Sequence, residues 1–567
     1  MNNKLKKIAI SALISSFLIF SVLIPILISI SYSRESGVEY YSTQKSELII
    51  KSASVTLEDP IFIDGNASGV NAHNWSWAVT QEWCSGDGSW STPYIIENIT
   101  IDAITSPTGN GIFINNSKND YFIIRNVKVY NAGGGTYDVG GIKLQNTSNG
   151  TLLNNNCSNN RNNGFLLFNS DNNTISGNTA NGNFNYGIHL YFSDHNDITE
   201  NYANNNREGI YLYNSDNNTI SGNIANNNDE GIILYDSDNN TISRNTANNN
   251  NEGIRIYNSN INDIFKNIAN DNYGGIGLYF SITNDIINNT VNYNYDGIRL
   301  QRSDHNDISG NTIANNNWYG IYLHYSNRND IFRNTANNND DGIHLDSSDY
   351  NTIVNNTYNN NSIYGIYLYS CIDIKISGNT IANNDYGIYL YYSNANDIFN
   401  NTANNNDYGI SLNYSYINII VDNTVNNNSI YGIYLYYSYN TDISRNYVNN
   451  SWYGIHLYSS THNDISGNNI DNNEYGIYLD NSDDTDIVNN TITYNNVGIY
   501  LSYCNSTEIS NNYFSGNGVD IRKLEVDDPF PIEGMLLIVL VISIIIIIAG
   551  MIITKRRRAR GEIQRLP

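Results

Sequence analysis

The stretch Gly387-Ile388-Tyr389-Leu390-Tyr391-Tyr392-Ser393-Asn394-Ala395-Asn396-Asp397-Ile398-Phe399-Asn400-Asn401 holds the pattern from which the fold of this 567-residue chain follows. Ile388 and Leu390 alternate with Tyr389 and Tyr391, the period-two pattern of a half-buried strand. Ser, Asn and Ala break the run, and Asp397-Ile398-Phe399 starts a second short one. A helix would show apolar spacings of three and four over ten or more residues, and the stretch has no such run.

Gly387 is one of seventeen glycines from Gly141 to Gly498, spaced 22 or 23 residues apart. Counted from each, position one is Ile in sixteen repeats (Phe165 is the exception) and position three is Leu in sixteen (Ile256). Position eleven is Ile in sixteen (Leu152), and position fourteen is Asn in all seventeen, Asn155 to Asn512. One coil of a parallel β-helix needs about this many residues, and stacked coils set like positions in columns about 4.8 Å apart. The expected fold is an all-β, single-stranded parallel β-helix solenoid of about 19 coils, about 90 Å long. Positions one, three and eleven face inward. Asn178, Asn201, Asn223, Asn245, Asn267, Asn289, Asn311, Asn334, Asn356, Asn379, Asn401, Asn423, Asn446, Asn468 and Asn490 then form a buried amide ladder at a corner. Cys371 and Cys504 replace the Ser of position six and Cys157 sits at position sixteen, so these three read as small inward residues too far apart to pair.

The ends point to a compartment. Lys4, Lys6 and Lys7 precede an uncharged run to Ile30, a signal peptide or signal anchor over residues 1–30. Met535–Ile553 is apolar and is followed by Lys555, Arg556, Arg557, Arg558 and Arg560, which predicts a transmembrane helix at 535–553 and a cytoplasmic tail at 554–567. Between them the reading places a linker (31–59), an N-terminal cap with the first coils (60–110), the repeats (111–520) and a juxtamembrane linker (521–534). The expected location is the cell membrane, with one C-terminal anchor and an extracellular ectodomain. All seven Pro lie outside 108–528. The formal charge is −25, and −32 once both ends are set aside, which excludes nucleic acid as a partner.

The repeated Gly-Ile-Tyr-Leu-Tyr-x-Ser-x-x-Asn-x-Ile-Ser-x-Asn unit resembles the right-handed parallel β-helix repeat of NosD-type and pectin-lyase-like proteins over about residues 90–520. The resemblance implies a right-handed coil and carbohydrate as the commonest ligand class. For NosD it implies copper handling, from which this chain departs: it has three Met and scattered His. No catalytic motif of the family is present beyond the repeat itself.

Outward positions carry the candidate chemistry. Tyr211, Tyr367, Tyr389, Tyr434 and Tyr478 stand at position two, and Tyr213, Tyr235, Tyr257, Tyr369, Tyr391, Tyr436 and Tyr458 at position four. Such stripes suit stacking on sugar rings, and they equally suit a pleated surface with no ligand. The expected partner is therefore a polysaccharide or surface glycoconjugate. Arg299, His324, His344 and Asp346 interrupt the stripes in neighbouring coils. Asp346 beside His324, with Arg299 near, is a minimum for acid–base work on an acidic polysaccharide, the alternative enzymatic reading. At position ten, rows such as Asp263, Asp285, Asp307 and Asp330 bring like charges together, which bound Ca²⁺ would relieve. No cofactor is firmly implied.

Overall fold

The computed structural model describes residues 56–524, apart from 70–71 and 135–137. The expected signal segment, transmembrane helix and tail lie outside them. Among the described residues no helix is long and apolar enough to cross a membrane.

The repeats form the solenoid the spacing predicts. First-sheet strands run six residues, as in Tyr386–Tyr391, and pair in parallel with like columns aligned, Ile388 with Ile410 and Leu390 with Leu412. A second sheet takes the three residues around position eleven, as in Asp397–Phe399, and a third takes Thr402–Asn404. Over part of the array the third sheet thins to single bridges such as Thr179 to Tyr202. The first sheet stacks twenty strands, in a solenoid of about 18 turns. Positions one, three, eleven and sixteen fill the core: Ile366, Leu368, Ile376 and Ile381 are fully buried.

Each coil turns at four corners. Positions five, eight, thirteen and eighteen adopt left-handed backbone, as in Asn214, Asn217, Gly222 and Asn227. Asn and Gly tolerate that conformation best, which explains their abundance. The residue after each corner turns inward, so Ser215, Asn218, Asn223 and Asn228 are all buried. The expected ladder at position fourteen is present: Asn223 Nδ2 donates to Asn245 Oδ1 at 3.0 Å and to the Ile198 carbonyl at 2.8 Å. Columns nine and nineteen build two further Asn ladders, and column six a Ser ladder, with Ser215 N donating to Ser237 Oγ at 3.0 Å. Cys157, Cys371 and Cys504 occupy the expected columns as free thiols, and burial pushes the Cys371 thiol up to about 12.

Two expected boundaries move. Thr56–Glu58 already pairs with Ile99–Asp102, so the sheets begin inside the expected linker. Val519–Leu524 pairs with Val497–Ser502 and carries the first sheet past residue 520. Near the first coils, Trp75 of the one-turn helix Trp75–Ala78 stacks on Tyr94 at 4.5 Å and donates from Nε1 to Ser117 Oγ at 2.8 Å.

Candidate functional site

Aligned columns bring the tyrosines of the first sheet into contact. In column four, Tyr213, Tyr235 and Tyr257 stack at 5.3 and 4.8 Å, and Tyr436 stacks on Tyr458 at 5.4 Å. Tyr369 and Tyr391 lie side by side at 5.8 Å. Column two departs from the expected open stripe. Tyrosines preceding the repeat glycine cover it: Tyr364 stacks on Tyr367 at 4.5 Å and Tyr431 on Tyr434 at 4.5 Å. Tyr386 packs on Tyr389, and Tyr475 on Tyr478. Strict alternation would send the residue before the glycine inward. The glycine breaks the alternation, because its own Cβ position faces the core: at Gly387 a Cβ would meet the Gly409 carbonyl at 2.5 Å. The preceding side chain therefore turns out over column two.

As a result Tyr211, Tyr367, Tyr389, Tyr434 and Tyr478 are half-buried, and burial raises their phenols, Tyr389 to about 12. His189 and His456, in the same column, are only 9% and 7% exposed with no hydrogen-bond partner on either nitrogen. Desolvation lowers both to about 3. The open rings belong to columns four and five. Tyr369 and Tyr392 are exposed, and Tyr392 stacks on Tyr414 and Tyr414 on Tyr437, each at 5.3 Å.

The charged interruption is assembled differently from its sequence reading. Arg299, Tyr322 and His344 share column two in successive strands, and His324 lies beside Asp346. The His324 Nε2 to Asp346 Oδ2 separation is 3.6 Å, an ion-pair distance without a hydrogen bond. The closer pair is His344 Nδ1 to Asp341 Oδ2 at 2.9 Å. Asp341 precedes a repeat glycine, as do Asp296, Glu208, Glu230 and Glu252. This carboxylate row is visible in the sequence as a column, but alternation assigns it inward, so sequence reasoning misses it. Arg299 stands 3.6 Å from Asp296, while Arg255 reaches Glu230 at 2.5 Å and Glu252 at 3.5 Å. Burial raises Glu208 to about 7 against the pull of Arg207, and Asp296 to about 6 against that of Arg299.

The position-ten rows are in register, Asp263, Asp285, Asp307 and Asp330 one above another. Desolvation and neighbouring carboxylates raise Asp285 and Asp307. Among the described residues no group of three or more His, Cys, Asp or Glu is placed to hold a metal ion. A separate cavity of about 520 Å³ lies by the cap, lined in part by His73, Trp77, Trp83 and Glu58.

The model of a family described as "Periplasmic copper-binding protein (NosD)" matches residues 30–228, 184–340, 282–407, 317–430 and 388–526. No curated protein matches the chain. Among solved structures, a mutant of the periplasmic alginate epimerase AlgG is 14% identical with a TM-score of 0.31, covering 74% of this chain and 85% of its own. The A-module of the Azotobacter vinelandii mannuronan C-5 epimerase AlgE4 is 14% identical with a TM-score of 0.30, covering 53% and 85%. Pectate lyase Pel9A is 12% identical with a TM-score of 0.24, covering 54% and 80%. The described residues do not fit a copper centre. They contain no Met, three cysteines are buried, His189 and His456 are each enclosed by tyrosine rings, and His344 is bonded to Asp341.

Proposed function

This chain belongs to the NosD family, and on that premise we propose that it is a membrane-anchored surface solenoid that binds glycan chains along the aromatic face of its first sheet. The observation that carries the reading is the in-register aromatic layer, whose open edge is formed by columns four and five. Planar rings with polar tips, repeated at the strand spacing, offer a polymer many equivalent stacking contacts. The anchor rests on Met535–Ile553 with its basic flank. The test replaces Tyr392, Tyr414 and Tyr437 by Asn, the residue that coils such as those of Asn214 and Asn258 place at the same left-handed corner. This substitution removes the rings at positions where Asn suits the backbone. Retention of immobilised polysaccharides by the triple variant should fall at least tenfold with its unfolding midpoint preserved, and undiminished retention would reject the reading.

One observation favours a second reading, polysaccharide cleavage. The Asp341–His344 pair orients an imidazole beside Tyr322, with Arg299 one strand further on, which suits general-base chemistry. New chain ends that appear with the wild type and vanish in His344→Ala would establish it.

A further inference from the structure

The aromatic face has one gap. In the coil that starts at Gly275, position two is Gly277 and the residue before the glycine is Gly274; no other of the seventeen repeats lacks both side chains. Neighbours lean into the space. Tyr279, at position four of that coil, bends across Gly277, where a Cβ would stand 2.8 Å from its Cε2, and its hydroxyl donates to Glu252. Glu252 lies over Gly274, its Cγ 3.3 Å from a Cβ placed there. Arg255 sits over the Tyr279 ring at 5.2 Å. On the far side stand Asp296 and Arg299. The strands carrying Glu252 and Asp296 flank that of Gly274 and are two spacings apart, about 9.6 Å.

This notch contains polar groups that the protein itself leaves unsatisfied. Asp296 is 5% exposed, and its Oδ1 has no hydrogen-bond partner. Arg299 Nε is also buried without a hydrogen bond, and Glu252 Oε2 has only the long 3.5 Å contact to Arg255 Nε. Groups of this kind destabilise the fold unless a ligand supplies the partner. Beside the notch, Tyr273, Tyr295 and Trp318 stack at 4.8 Å intervals, with Tyr273 and Trp318 open to solvent.

We propose that the notch is a subsite for one uncharged hexose ring of a glycan, with adjacent hydroxyls donating to Asp296 and Glu252, a sugar oxygen accepting from Arg299, and Tyr279 swinging out to admit it. The proposal rests on the glycan-binding reading of the face. Charge selects the neutral sugar. An anionic ring would meet the carboxylate row of Glu230, Glu252 and Asp296, and a cationic ring would meet Arg255 and Arg299.

The full chain, purified in detergent, is titrated with neutral hexasaccharides (glucan and mannan), hexagalacturonate and a chitosan hexamer. Gly277→Tyr rebuilds the stripe with the residue that seven coils carry at position two, and it should weaken neutral-hexamer binding at least tenfold with the unfolding midpoint retained. Tyr279→Phe keeps the ring but removes its tether to Glu252, and should tighten binding severalfold. This second variant tests the subsite independently if the first fails to fold. Neutral binding that neither variant changes overturns the subsite, as does a preference for either charged hexamer. If the Tyr392, Tyr414 and Tyr437 variant loses polymer retention while Gly277→Tyr binds normally, the subsite is wrong and the face reading stands. If the wild type neither retains polymer nor binds hexamers, the face reading fails and the subsite with it.

Discussion

His456 shows what a single position can contribute. Rings of Tyr431, Tyr434, Tyr453 and Tyr478 enclose it at 4.8 to 5.3 Å, and no polar group answers its nitrogens. A neutral imidazole fits there and an imidazolium does not, so desolvation lowers its pKa from 6.5 to about 3. The sign follows from proton counting. Between pH 6.5 and about 3 the unfolded chain binds a proton that the folded chain refuses, so this contribution to stability is intact above pH 6.5 and declines as the pH falls through that window. His456→Tyr, the residue common in this column, should flatten that decline. Urea midpoints measured from about pH 7 to about pH 3.5 check it, and parallel curves for the two proteins would contradict it. Glu208 works in the opposite direction: with its carboxyl raised to about 7, it weakens the fold at high pH and ceases to do so as the pH falls towards 4.5.

Within each coil, the corners do the organising. Asn334 accepts from Asn311 N at 3.0 Å and Nδ2 at 2.9 Å, and its own Nδ2 donates to the Ile308 carbonyl at 2.7 Å. Asn334→Ala leaves buried donors and an acceptor without partners and should cost at least about 1–3 kcal/mol. Asn338→Gly, at an exposed left-handed corner where another coil uses Gly182, should change stability by only a few tenths of a kcal/mol. Chemical denaturation of the two variants tests this contrast, and equal losses would show that the ladder is not what holds the corner. Position fourteen is legible as a ladder because it never varies among the coils. Columns nine and nineteen escape the same reading because Ile374, Thr441, Thr485 and Ser451 interrupt them, and the pattern then resembles general Asn enrichment.

Along the full solenoid, family membership and the donor set point in different directions. The family is described by copper, yet the described residues offer no thioether, three buried thiols, two histidines enclosed by rings and three beside carboxylates, while the exposed His73, His195 and His305 join no group of three or more candidate ligands. Equilibrium dialysis of the full chain should find no Cu²⁺ or Cu⁺ site tighter than about millimolar, where ordinary protein sites bind copper strongly. A stoichiometric micromolar site lost on substituting His324 or His344 would show that the patch assembles a centre after all. The same stacking that fixes the columns also accounts for the charge pattern: carboxylates and arginines of consecutive coils come close only because the register is strict along the array.

Coil length, the core columns, one of the Asn ladders and the parallel stacking all follow from sequence, because each depends on a period that 17 repeats display. The same period puts Arg299, His324, His344 and Asp346 on one face. What those residues touch follows only from the folded chain. The break in alternation at each glycine turned Asp341, Asp296 and the row of preceding tyrosines outward, so His344 found Asp341 rather than remaining a lone column-two residue, and column two became the half-buried interior of an aromatic layer. Periodicity records which positions are alike; it does not record a local reversal of side-chain direction, which comes from backbone packed against the coil above.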